Sequence, residues 1–314
     1  MTLVLSEEDI RRVLPMRDLI PAMERALVAF STGKVQQPVR TVLEVGQGKS
    51  FFGLMPAEIA GGPVGAKLVT VFNSNAARGL PTHLATILLL DPDTGALRAI
   101  LDGRYITEAR TAAVSAVSAK LLARQKPGAL AILGSGVQAR SHLEALREVR
   151  GFDEVRAWSP TRENLERFCA ETGSVAAGSA REAVRDAGVI VLVTASTATV
   201  LENDWVSDGA HVISVGACRP THREMDSKLV ARGRLIVDSR AAALRESGDI
   251  VLAIAEGAIA ASHIEAELGE LPARRSDGEV TIFKSLGMAV EDLAAGQLAF
   301  ERAEAEGLGR RISV

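Results

Sequence analysis

Cysteine is scarce. The 314-residue chain has only Cys169 and Cys218, with no CxxC pair and no histidine cluster at ligand spacing. A disulfide framework or structural zinc site is therefore excluded, and no metal is expected. No basic block occurs and the formal net charge is −3, so nucleic acid is not an expected partner. The longest apolar runs, such as 84–90, fall far short of the roughly 20 residues of a membrane span. The first ten residues carry Glu7, Glu8 and Asp9 where an export signal needs a basic start. A cytoplasmic location with no membrane partner is the expectation. There is no internal repeat and no low-complexity tract.

What remains is an ordinary globular composition, 47% hydrophobic and 24% charged, in a chain long enough for about two domains. The middle alternates short Val/Ile-rich runs with helical stretches. The runs are 129–134, 154–159, 174–178, 189–194, 211–216 and 234–239; the helical stretches are 137–148, 163–171 and 179–186. Such runs suit a parallel sheet covered on both faces, and the alternation implies right-handed crossovers and a doubly wound α/β fold.

Residues 1–115 read differently. Ser6 caps a helix beginning at Glu7, and two short amphipathic helices are separated near Pro15. Strand-like runs follow at 39–45, 50–55, 65–72, 85–90 and 96–101, with Asp91-Pro-Asp-Thr-Gly95 as a hairpin-type turn between the last two. An Ala-rich helix over 108–124 leads onward, and a last helix over 286–306 is expected to return to the first part. The expected organisation is an α+β substrate and dimerisation domain, 1–115 with 295–314, and a Rossmann NAD(P)-binding domain, 116–294.

The most specific local signal is ALAILGSGVQARSH, 129–142. A strand runs into Gly134-x-Gly136-x-x-Ala139, a helix follows, and a second strand ends about 20 residues on. Gly134 allows the tight turn, Gly136 lets a pyrophosphate approach the backbone, and Ala139 lets the helix pack close. The amides around Val137 and Gln138, with the positive end of the helix dipole, suit the phosphates. The second strand ends in Ser159-Pro-Thr161-Arg162 with no acid at the ribose position. Ser159 and Thr161 offer hydrogen bonds and Arg162 a phosphate partner, so NADP(H) is favoured, with NAD(H) the alternative. The bland reading of Arg162 is a solvated residue at a helix start. The loops Thr194-Ala195-Ser196-Thr197 and Val215-Gly216 end strands, where such folds bind ligands, and are assigned to the nicotinamide ribose. Thr111 is placed near a phosphate, and Ser285-Leu286-Gly287, read as opening a helix, near the nicotinamide carboxamide.

LGSGVQARSH, DGRYITEARTAAVSAVSAK, SVGACRPTHREMD, VDSRAAALRESGD and FKSLGMAVED together resemble the ornithine cyclodeaminase/µ-crystallin family over about 39–292. The resemblance implies a Rossmann domain for NAD(P)H, a homodimer formed through the other domain's sheet, and chemistry on small imino or amino acids. It implies that Arg40, Lys67 and Arg110 hold the substrate carboxylate region, with Lys67 as proton carrier, and that Thr82 and His83 lie near the cofactor. Cyclodeaminases of the family carry a catalytic Asp where this chain has Cys218. A thiol is mostly neutral near pH 7 and is a poor substitute for a carboxylate base. The expected activity is therefore NAD(P)H-dependent reduction of a cyclic ketimine or 2-imino acid such as 1-pyrroline-2-carboxylate. Ornithine cyclodeamination, alanine dehydrogenation and non-catalytic binding are the alternatives. Three cations oppose protonation of an imine, and Glu246 is the expected counter-charge.

Overall fold

The structure, a computed structural model, describes residues 1–46 and 50–313. It divides into two compact units: Met1–Arg110 with Met288–Val314, and Thr111–Gly287.

The chain opens with β1 (Thr2–Leu5), α1 (Glu7–Val13) and α2 (Met16–Ser31). Ser6 caps α1 in a capping box with Asp9, as the sequence signal requires. The helix after Pro15 is longer than expected, at 16 residues. Then come β2 (Val35–Gln36), β3 (Thr41–Val45), β4 (Ser50–Ile59), β5 (Val64–Phe72), β6 (His83–Leu90) and β7 (Leu97–Asp102). Strand β4 continues past the expected end at Met55, through Pro56. Its outer neighbours pair only with 50–54 and 58–59, so the missing proline N–H falls where no ladder bond is needed. Helix α3 (Arg104–Leu122) follows.

The second unit continues with β8 (Ala129–Leu133), α4 (Val137–Val149), β9 (Glu154–Trp158), α5 (Arg162–Thr172), β10 (Val175–Ala176), α6 (Ala180–Val184), β11 (Ala187–Leu192) and β12 (His211–Ser214). It closes with α7 (Ser227–Arg232), β13 (Arg234–Val237), α8 (Arg240–Glu246), α9 (Gly248–Ala255), β14 (Ile264–Glu267) and β15 (Thr281–Lys284). The chain then returns to the first unit as α10 (Ala289–Glu306) and β16 (Arg310–Ile312).

In the first unit the sheet order is β16-β1-β7-β6-β5-β4-β2, with β3 also on β4. All its pairings are antiparallel except β1 with β7. One face buries Met55, Ala57, Ile87, Leu89, Ala99 and Leu101, and α10 packs against β4, β5 and β6. Because the whole of α10 packs on this sheet, the division falls at 287/288 and not at 294/295. The first division falls at 110/111, inside α3, and not at 115/116.

The second unit is a doubly wound sheet, β10-β9-β8-β11-β12-β15-β13-β14, parallel throughout. The expected α/β class holds, but with two strands the sequence did not suggest. One of them, β15, lies buried between β12 and β13. Its four residues, Thr-Ile-Phe-Lys, are too short and mixed to announce a strand. The final helix starts at Ala289, three residues later than the pattern implied.

Candidate functional site

The glycine turn of the second unit has the geometry its sequence promised. Gly134 sits at φ 124°, and a Cβ there would lie 2.5 Å from the Val193 carbonyl oxygen, so only glycine fits. Gly136 is the N-cap of α4, and a Cβ there would meet nothing within 4 Å. No side chain caps the helix, so its first amides are offered outward beside Val137 and Gln138. Ala139 is buried, which lets α4 approach the sheet. The open space at Gly136 and the uncapped helix fit a dinucleotide pyrophosphate.

At the end of β9, Ser159 is half-buried and Thr161 exposed, and no carboxylate side chain stands among 158–162. Arg162 is the first residue of α5; its Nε lies 2.6 Å from Glu166 Oε1, and both side chains are mostly exposed.

Four buried polar residues that the sequence did not single out tie together the expected ribose loops. Glu224 is fully buried and accepts hydrogen bonds from the amide and hydroxyl of Thr194, at 2.8 and 2.7 Å, and from the amides of Gly216, at 2.7 Å, and Ala217, at 3.2 Å. Asp249 Oδ1 accepts from the amides of Glu224 and Met225; its Oδ2 accepts from Ser214 Oγ at 3.0 Å and lies 3.0 Å from Lys284 Nζ. Burial and the neighbouring Asp249 raise the Glu224 pKa, partly offset by Lys284. Burial works to lower the Lys284 pKa, but the combined attraction of Asp249, Cys218 and Glu224 outweighs it and the net direction is up. The Thr194 hydroxyl is thus committed to Glu224, and Ser196 spans its own turn by donating to the Ala198 carbonyl. Ala195 and Thr197 are exposed, while Val215 is half-buried.

One expectation in this unit needs correction. The amides of Leu286 and Gly287 do not open a helix towards a ligand: both donate to Asp238 Oδ2, at 2.5 and 2.7 Å, and Ser285 is buried with them. A buried carboxylate has taken the anion position these amides offer. Glu246 is the last residue of α8. Thr111 is buried in α3, its carbonyl accepting from Ser115 Oγ. Cys218 is exposed, with its thiol donating to the Val215 carbonyl at 3.1 Å.

In the first unit the three expected cations share one electrostatic neighbourhood. Lys67, on the inner face of β5, is 2% exposed. Its Nζ lies 2.6 Å from Asp292 Oδ2, at the start of α10. Arg110 of α3 donates from Nε to Asp292 Oδ1 at 2.9 Å and from Nη1 to Glu291 Oε2 at 2.7 Å. Half-buried Arg40, just before β3, is close enough to act on Lys67. Burial is the largest influence on Lys67 and, with Arg110 and Arg40, brings its pKa down to about 8, while Asp292 holds it up. Burial works to raise the Asp292 pKa, but Arg110 and Lys67 overcome it and the net direction is down. His83, the first residue of β6, feels the same group: burial first, then Lys67 and Arg110, lower its pKa to about 4, so it is neutral. Thr82 beside it is exposed, its carbonyl accepting from the Phe72 amide.

Glu291 and Asp292 were missed as site residues. Their signal was available: two acids inside the small-residue stretch GMAVEDLAAG, where a helix begins. The helix dipole favours acids at that position. Among the described residues no group of histidine, cysteine and acid side chains is suited to a metal, and no helix is long and apolar enough to cross a membrane.

The parallel sheet with its glycine turn places the chain among the dinucleotide-binding α/β proteins. More narrowly, it belongs to the ornithine cyclodeaminase/mu-crystallin family, whose model matches residues 1–307. It is 46% identical over 292 residues to the ketimine reductase mu-crystallin of Mus musculus, covering 90% of this chain and 91% of that one. It is 34% identical over 323 residues to a Delta(1)-pyrroline-2-carboxylate reductase of Bacillus cereus, covering 99% of both. Among solved structures it is similar to the Thermococcus litoralis Delta(1)-pyrroline-2-carboxylate reductase in complex with NADH and L-proline. That match has a TM-score of 0.95 and 36% identity, and covers 99% of this chain and 100% of the other.

Proposed function

We propose that the protein is an NAD(P)H-dependent reductase of a carboxylate-bearing C=N bond, in a cyclic ketimine or 2-imino acid of the 1-pyrroline-2-carboxylate type. The observation that carries this reading is the buried Lys67 ammonium, flanked by Arg110 and Arg40. A lysine buried on a strand amid apolar neighbours has a role beyond solvation, and its lowered pKa suits proton transfer near neutrality.

A reduced nicotinamide, when bound, supplies hydride to the imine carbon. Gly134, Gly136 and Ala139 would hold its pyrophosphate side, with Val137 and Gln138 lending amides. Arg40 and Arg110 orient the substrate carboxylate; fixing it leaves the nitrogen one position to occupy, and such positioning is a large share of the rate. Lys67 Nζ carries the proton that makes the imine an iminium and a better hydride acceptor. Neutral His83 borders this group as a hydrogen-bonding wall. The Cys218 thiol donates a hydrogen bond to the Val215 carbonyl, and a thiol is a poor substitute for a carboxylate base, which argues against cyclodeamination.

Ser159, Thr161 and Arg162, with no carboxylate side chain among 158–162, support NADP(H) over NAD(H), Arg162 exchanging its exposed pairing with Glu166 for the phosphate. A homodimer through the first unit's sheet is supported by its outer face, which exposes Leu54 and Leu84 at 38% and 43%.

The test is absorbance of NADPH with purified protein and 1-pyrroline-2-carboxylate, pyruvate plus ammonia, or ornithine. NADPH loss with the cyclic imine, abolished in Lys67→Met, is the expected result. Turnover of ornithine to proline and ammonia without net cofactor change, or binding without turnover, would overturn it.

A further inference from the structure

Reduction of an imine through a lysine proton poses an electrostatic problem. Arg110 and Arg40 both act on Lys67, and three positive charges oppose the formation of a fourth on the substrate nitrogen. The structure contains its own answer. Asp292, fully buried, places one oxygen 2.6 Å from Lys67 Nζ and the other 2.9 Å from Arg110 Nε. Glu291, also buried, takes Arg110 Nη1 at 2.7 Å. With both acids ionised the formal charges of Lys67 and Arg110 are cancelled. An iminium then no longer forms in a strongly cationic field. Both acids stand in the first turn of an 18-residue helix, where the positive end of the dipole favours them, and Arg110 and Lys67 hold the Asp292 pKa down. Each Asp292 oxygen serves a different cation, so the carboxylate also fixes the ammonium relative to the guanidinium.

We propose that Asp292 is the positioning residue of the proton step: it sets the Lys67 ammonium against Arg110, retains the proton on Nζ until the substrate nitrogen takes it, and cancels the field opposing an iminium. This rests on the reading of Lys67 as the proton carrier. The proton passes from Nζ to the imine nitrogen, leaving Lys67 neutral and Asp292 paired with Arg110. Hydride from the reduced dinucleotide adds to the carbon, the C=N π pair becomes the amine lone pair, and solvent returns a proton to Nζ. The charged and titratable groups that act on this assembly are Arg40 before β3, His83 on β6, Arg104 and Arg110 on α3, and Glu291 and Asp292 on α10.

The experiment compares pH–rate profiles for reduction of 1-pyrroline-2-carboxylate in wild type, Asp292→Asn, Asp292→Glu and Lys67→Met. Calorimetric binding of pyrrole-2-carboxylate is the second readout. Wild-type activity falls as pH rises through about 8, where Lys67 loses its proton. In D292N that limb moves down by at least one pH unit. The rate at pH 8 drops more than tenfold and partly recovers at pH 6, while the planar carboxylate binds as well as to wild type or better. D292E keeps the charge, so its limb stays near pH 8 although its maximal rate falls. A D292N limb unmoved from wild type overturns the proposal, as does a D292E limb that shifts down, and D292E decides the matter if D292N does not fold. Full activity in K67M is a separate failure, of the proton-carrier reading itself.

Discussion

Replacing Asp249 by Asn tests whether the buried polar network is the keystone of the nucleotide-binding unit. Lys284 and Asp249 are both 0% exposed by side chain and lie 3.0 Å apart. An asparagine oxygen can still accept from the Glu224 and Met225 amides, as Asp249 Oδ1 does. Its NH₂ group must then face Lys284 Nζ, donor against donor, and the bond that Ser214 Oγ donates to Asp249 is lost. Removing one member of a buried ion pair leaves the other uncompensated and costs about 3–5 kcal/mol. For a unit the size of Thr111–Gly287, each kcal/mol moves the melting temperature by roughly 2–4 °C, so a fall of about 10 °C is expected. Circular dichroism melts of wild type and D249N measure it. A second variant, D249N with Lys284→Met, removes the orphan charge and should recover most of the loss. A D249N melt within about 2 °C of wild type, or a double variant no better than the single, would refute the reasoning.

Arg162→Ala should raise the KM for NADPH by roughly tenfold, about 1.4 kcal/mol of lost phosphate contact, and leave that for NADH near its starting value; equal changes would remove the phosphate assignment. His142 and His211 are buried, and burial lowers their pKa values to about 4 and about 3. The folded state therefore disfavours their charged forms. This contribution is complete above the unfolded value near 6.5 and is lost as pH falls from there towards 4, on the order of 3 kcal/mol per ring. Urea titrations at pH 7, 6 and 5 should show stability falling more steeply in wild type than in His142→Gln with His211→Gln; parallel slopes would count against it.

The parts of this protein that could be read from sequence are those whose physics is local. The glycine turn is one such part, since Gly134 and Gly136 answer to neighbours within one strand–helix unit. The capping box at Ser6 is another. Lys67 stood out because a charge inside GAKLVTV is anomalous wherever it folds. Asp292, which pairs with Lys67 and Arg110 alike, did not stand out, because even its bond to Arg110 spans 182 residues and no periodicity encodes a pairing at that range. The same limit hid Glu224, Asp249 and Lys284, which lie in motifs legible as motifs but not as a network. Ser285–Gly287 misled for a different reason: free amides before a helix look like an anion site, and Asp238, 48 residues back from Leu286, had already filled it.

The carboxylates that pair with Lys67 and Arg110 leave the ribosome only after the whole of residues 111–287. While residues 111–287 emerge, the leading 110 residues hold Lys67 and Arg110 without Asp292 and Glu291, and a sheet without α10. Maturation therefore runs from the middle outward: the inserted nucleotide-binding unit can finish first, and the flanking unit completes only when its closing helix arrives. A nascent chain stalled short of Glu291 would protect its central segment from protease and surrender its beginning.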